Sequence, residues 1–131
     1  MRLALETSAL VAIFLQEEDA SDLSEQLENS EKIMMCATSI LEAQMVLSRR
    51  YPDGGSTAID KFLRDYDVTV VGFGVEELTI ARDAFLRFGK GRHPAKLNFG
   101  DCMSYALAKS QGVPLLFKGD DFSLTDIERA I

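Results

Sequence analysis

Residues 3–15, LALETSALVAIFL, decide how the rest of the chain is read. Leu3-Ala4-Leu5 is apolar without alternation, as in a strand covered on both faces. From Ser8 onward, Leu10, Val11 and Phe14 fall at helical spacing, which predicts a helix. A strand running straight into a helix is the first half of a βαβ unit. Glu6 stands at the junction and reads as the last residue of the strand. A carboxylate there is costly to bury unless it is paired or holds a cation.

The same alternation continues outward. Residues 19–27 predict a second helix, with Leu23 and Leu27 four apart, and 33–37 a second strand buried on both faces. In 39–50, Ile40, Leu41, Ala43, Val46 and Leu47 lie at helical spacing, and YPDGG at 51–55 is the stop. A helix over 57–66 precedes a β-branched strand at 68–71, and a helix over Val75–Phe88 ends at GKG, 89–91. Phe99–Gln111 is helical with Gly112 just past its end, and Pro114 opens the last strand, 115–117. The fold class expected is α/β: one domain over 1–131, three layers (α/β/α) around a central, mainly parallel sheet. Val11, Phe14 and Leu15 are assigned to its core.

Composition narrows the function. The chain has 131 residues, 47% hydrophobic and 27% charged, which is ordinary for a globular protein with a real core. The longest early apolar run, 9–15, falls far short of the roughly 20 residues that span a bilayer. No basic leader with a cleavage site is visible, so the expected location is the cytoplasm. Cys36 and Cys102 have no metal-like spacing and read as buried thiols. A net charge of −7 argues against holding nucleic acid by bulk electrostatics. Yet residues 82–96 carry Arg82, Arg87, Lys90, Arg92 and Lys96 against the single acid Asp83, together with the only histidine, His93. An acidic body with one basic segment points to an anionic partner held locally.

Sites in such sheets gather at the carboxyl ends of the strands. Glu6 ends the first strand, and Glu42 lies in the first turn of the helix after the second. Asp101 lies in the first turn of the helix entered through Asn98-Phe99-Gly100, and Asp120 and Asp121 follow the last strand. Each has a local reading as well. Ser39-x-x-Glu42 is a capping box, Asn98-x-x-Asp101 has a similar spacing, and an acid in a first turn suits the helix dipole. Four acids brought to one edge, however, repel unless a cation sits among them. Oxygen ligands with neither cysteine nor histidine suit a hard ion, Mg²⁺ or Mn²⁺, and hence phosphoryl chemistry. A Ser–His–Asp mechanism fits less well, since His93 lies in the basic loop and no Gly-x-Ser-x-Gly turn occurs. GFG at 72–74 and GKG at 89–91 are too short and wrongly placed for a phosphate-binding loop.

Taken in order, LALETSALVAIF, TSILEAQMVL and LNFGDCMSYALAKSQGVPLLFKGDDF resemble the PIN-domain ribonucleases, in particular the VapC toxins of toxin–antitoxin pairs. The resemblance covers essentially the whole chain. It implies an endoribonuclease dependent on Mg²⁺ or Mn²⁺, a homodimer, and neutralisation by a cognate VapB-type antitoxin. The family's acids fall on Glu6, Glu42 and Asp101, with the fourth in the GDD segment, Asp120 first and Asp121 second. Glu6, Asp101, Asp120 and Asp121 are the implied metal ligands. Thr7 and Ser8 match hydroxyl residues that orient the first acid or a metal-bound water, and Arg87, Lys90, Arg92 and Lys96 are candidates to hold RNA. One departure stands out, because the family has Asp where this chain has Glu6. The extra methylene moves the carboxylate outward by about one bond, on the order of 1.5 Å. The alternative is therefore a crippled PIN-fold module that binds antitoxin or RNA; a metal-dependent phosphatase or nucleotide-binding domain is a third possibility.

Overall fold

A computed structural model describes residues 1–131. Four strands, β1 (Arg2–Leu5), β2 (Lys32–Cys36), β3 (Thr69–Val71) and β4 (Leu115–Leu116), form one sheet in the order β3-β2-β1-β4, every pairing parallel. Leu3 pairs with Ile33, Ala4 with Met34 and Leu115, and Cys36 with Val71. Six helices cover it: α1 (Thr7–Phe14), α2 (Ala20–Glu28), α3 (Ala37–Leu47), α4 (Ser56–Asp65), α5 (Val75–Phe88) and α6 (Phe99–Gln111).

The unbroken apolar runs are explained by two cores, one on each face. Leu3, Leu5, Ile33, Met35 and Leu116 face a cluster completed by Ala9, Leu10, Leu23, Ala43 and Phe62 from α1 to α4. Ala4, Met34, Cys36, Leu115 and Phe117 face the other, built with Ala84 of α5 and Tyr105, Ala106 and Leu107 of α6. Successive residues of a strand point to opposite faces, so each central strand feeds both cores and has no polar face. The expected three-layer α/β/α architecture is what the chain adopts. Val11, Phe14 and Leu15 pack against the first core, and the Phe14 ring lies 5.5 Å from that of Phe62. Both cysteines are buried and unpaired. No helix is long and apolar enough to cross a membrane.

Several boundaries differ from expectation, each for a local reason. The first strand stops at Leu5, and Glu6 is instead the N-cap of α1. The helix expected from residue 39 starts two residues earlier, directly from β2, because Cys36 ends extended (φ −65°, ψ 136°) and Ala37 is already helical. Ser39 is therefore inside the helix and buried, its Oγ 3.1 Å from Ser104 Oγ, so the Ser39–Glu42 capping box does not form. The Asn98–Asp101 box does: Asp101 N–H donates to Asn98 Oδ1 (2.8 Å) and Asn98 N–H to Asp101 Oδ2 (3.0 Å). Gly112 ends α6 in the left-handed conformation (φ 63°), as its position predicts. Residues 128–130 run beside β4, with Leu115 N–H donating to Glu128 and Ala130 N–H to Leu115, both at 2.9 Å. They shield an edge strand that would otherwise present free backbone groups.

Candidate active site

The strand order reverses direction at β1: the chain moves from β1 to β2 and β3 on one side, then returns to place β4 on the other. The crevice beyond the carboxyl ends of the strands at such a switch point is where open α/β sheets bind ligands. Glu6 stands there, immediately after β1, with only 4% of its surface exposed. Its Oε2 accepts hydrogen bonds from the Ser8 N–H (2.7 Å) and from Ser8 Oγ, which leaves Oε1 for a further partner. The longer glutamate side chain reaches back to cap α1, a task that shorter Asp or Ser side chains usually perform. Ser8 Oγ also accepts from the Lys118 backbone N–H at 2.9 Å, so the first turn of α1 is strapped to the segment leaving β4.

Burial pushes the Glu6 carboxyl up to about 7; the Ser8 bonds work against this, and the charges of Asp101 and Glu42 reinforce it. Burial likewise pushes Asp101 up to about 6, partly offset by the Asn98 N–H bond, with Asp121 and Glu42 adding repulsion. The structure thus brings Asp101 and Glu42 within electrostatic reach of Glu6, and Asp121 and Glu42 within reach of Asp101. Of the two acids after β4, Asp121 rather than Asp120 is the one whose charge bears on Asp101. Thr7 serves a different acid from the one its position implies, since its Oγ1 donates to Glu42 Oε1 at 2.6 Å. Ser8 alone orients Glu6.

Glu42 is held from its other side by an absence of atoms. A Cβ on Gly100 would lie 2.2 Å from Glu42 Oε2. Sequence reasoning missed Gly100; the available signal was a glycine one residue before a candidate acid, inside a helical first turn where glycine is disfavoured.

These residues suit a hard divalent cation. The donors are oxygens, two of the carboxyls resist ionisation where they lie, and the chain's ion pairs involve none of Glu6, Glu42, Asp101 or Asp121. No three acidic, histidine or cysteine side chains converge on a single point at coordinating distance. Oxygen donors without histidine or cysteine have the chemistry of a site for a hard ion that keeps several waters of its own, not of a preformed all-protein cage.

The basic candidates separate into two kinds. Arg87 is engaged, 3.4 Å from both Asp83 and Asp126, and Arg92 donates to the Leu86 carbonyl at 3.2 Å. Lys90 and Lys96 are exposed and make no ion pair. Lys90 and Arg82 border a groove of about 580 Å³ lined by Phe73, Phe85 and Phe99. A second groove of about 570 Å³ runs along α3 past Leu41, Met45 and Glu42 to Gly100, and it shares Phe99 and Met103 with the first. Phe99, 82% exposed, stands between them.

Comparison with known proteins bears on this arrangement. The PIN domain family model matches residues 3–128. Ribonuclease VapC of Mycolicibacterium smegmatis is 43% identical over 125 residues, covering 95% of this chain and 97% of that protein. Ribonuclease VapC30 of Mycobacterium tuberculosis is 42% identical over 125 residues, 95% of each chain. Among solved structures, M. tuberculosis VapC20, a sarcin–ricin loop cleaving toxin, superposes with a TM-score of 0.76 at 17% identity over 95% of both chains. VapBC2 from Rickettsia felis, bound to a DNA fragment from its promoter, gives a TM-score of 0.73 at 14% identity over 98% of this chain and 97% of that one.

Proposed function

The chain belongs to the PIN-domain family and, within it, to the VapC ribonucleases, and from that premise we propose a divalent-metal-dependent endoribonuclease, the toxin of a VapB–VapC pair, acting in the cytoplasm. The observation that carries the metal dependence is a pair of carboxyls, Glu6 buried and Asp101 half-buried, whose ionisation the protein opposes and no basic side chain offsets. Asp101 and Glu6 would hold Mg²⁺ or Mn²⁺ directly or through water, with Asp121, or Asp120 in its place, completing the shell.

When bound, such an ion polarises a phosphate oxygen and lowers the pKa of a coordinated water. The chain's own residues do the rest. Glu42, fixed through its Oε1 by Thr7, orients the attacking water and accepts its proton. Ser8 keeps Glu6 aimed at the edge of the sheet. Lys90 and Lys96 hold the RNA backbone, with Arg92 and Arg87 reaching it only if their present contacts open. In-line attack on the phosphodiester then leaves 5′-phosphate and 3′-hydroxyl ends. A VapB-type antitoxin would silence the enzyme by covering the acidic edge. The homodimer that the family implies is assigned here to the apolar face around Phe99, where Leu41, Met45, Val46, Leu78, Phe85 and Leu86 are also exposed.

The second reading, a PIN-fold module with a crippled centre, is favoured by one observation: the Glu6 carboxylate is turned onto Ser8. Cleavage of an RNA pool at saturating Mg²⁺ by the wild type and Glu6→Asp separates the two. An active wild type supports the nuclease. A silent wild type rescued by Glu6→Asp marks the chain as crippled at this position, and silence of both removes the enzymatic reading.

A further inference from the structure

We propose that Gly100 is a positioning residue for the reaction: the space where its side chain would lie is the slot in which the Glu42 carboxylate is seated. Gly100 and Thr7 would then fix the second acid between α6 and α1. The seating itself is a matter of geometry, whereas its catalytic consequence rests on the nuclease reading above.

Glycine is a poor choice inside a helix, because it loses more conformational freedom than alanine and adds no packing. Its usual justification is a left-handed backbone, and Gly100 does not have one; Gly54, Gly55, Gly91, Gly112 and Gly119 are the glycines with positive φ. Its justification is space. A Cβ at position 100 would lie 2.2 Å from Glu42 Oε2, 2.8 Å from Oε1 and 2.8 Å from Cδ. The three nearest atoms are thus the three atoms of one carboxylate. The same carboxylate accepts the Thr7 hydroxyl at 2.6 Å. One side of the seat is thus a hydrogen bond and the other is a missing methyl group.

The obstructing atoms are the far end of a flexible side chain. Alanine at position 100 would leave the helix intact, since the carboxylate moves instead of the backbone. That movement breaks the bond to Thr7 and shifts Glu42 by the order of an ångström, enough to cost roughly tenfold to a hundredfold in rate where geometry governs the reaction.

Four proteins test this: wild type, Gly100→Ala, Glu42→Ala and the double variant, each measured for thermal unfolding and for cleavage of an RNA pool at saturating Mg²⁺. With the carboxylate gone, the alanine should act as an ordinary helix-favouring substitution and raise Tm by about 2–6 °C. With Glu42 present, the gain should vanish or reverse. Gly100→Ala should also lose at least about tenfold in kcat while KM for RNA changes by less than about twofold. Equal Tm gains in both backgrounds, or a wild-type kcat for Gly100→Ala, would overturn the proposal. Should the wild type cut no RNA, the nuclease reading fails, and the Tm comparison still decides the seating.

Discussion

Glu6 leaves β1 with its carboxylate buried and its pKa near 7, well above the ordinary glutamate value of 4.5. Between those two values the folded chain binds more protons than the unfolded one, so stability falls as pH rises through the window. Asp101, raised to about 6, contributes with the same sign. Metal-free protein should therefore melt at a higher temperature at pH 5 than at pH 8, and Glu6→Gln should flatten that dependence. A Tm that climbs from pH 5 to 8 in the presence of chelator would contradict the burial argument. Added Mn²⁺, which binds only the ionised carboxylates, should restore stability at pH 8 more than at pH 5. At this scale the candidate acids were legible in the sequence, because acids at strand ends and helix starts are visible as residue types in a topological context. The fold places Glu6 after β1 and Asp101 in the first turn of α6. The sequence ranked Asp120 ahead of Asp121, whereas the charge that bears on Asp101 is that of Asp121, because the choice depends on how the turn after Gly119 is oriented. Nor did it reveal Gly100, whose neighbour Glu42 is 58 residues away in the chain.

Helix α6 links the site to the rest of the fold. Its first turn carries the Asn98–Asp101 box, and its middle anchors the segment after β4 through Tyr105, whose hydroxyl donates to Asp126 at 2.6 Å. Burial alone would push Asp126 up, but the Tyr105 bond and the Lys109 ammonium at 3.0 Å outweigh it and hold the carboxyl below its usual range. Arg129, lying 4.4 Å over the Phe117 ring and bonded to the Gly119 carbonyl, fixes the other end of that segment. The two anchors bracket Asp120 and Asp121. Tyr105→Phe should cost about 1.5–3 kcal/mol in urea unfolding, as expected for a hydrogen bond to a charged acceptor. An unchanged midpoint would show that the anchor carries no weight. The elements themselves were legible because every central strand is an unbroken apolar run and every helix has its stop. Their starts were less so, and α3 is the clearest case. Ser39 has the residue type of a cap, but β2 passes into α3 without a loop and leaves no position for one.

Across the whole molecule, the acidic edge and the apolar face meet at α3 and α6. Leu41 and Val46 fit the helical spacing of a core and yet are exposed, beside Met45 and Phe99. Periodicity reports that a helix has an apolar side; it does not say that this helix has two, one for the sheet and one for solvent or a partner. If the face around Phe99 joins two copies, Phe99→Asp should convert a dimer to a monomer in sedimentation, and an unaltered dimer would refute the assignment. The groove along α3 ends on Glu42 and Gly100, so a partner lying there would also shelter the second acid. On the nuclease reading, a net charge of −7 requires that positive charge be supplied locally, by a bound cation and by the exposed Lys90 and Lys96.

The most direct test of the metal-centred account is cleavage of an RNA pool as a function of Mn²⁺ or Mg²⁺ concentration, by the wild type and by Asp101→Asn. The account predicts cleavage by the wild type that saturates with metal and stops with chelator, and a loss of at least about a hundredfold in Asp101→Asn at unchanged fold. Metal-independent cleavage, or full activity in Asp101→Asn, would contradict it.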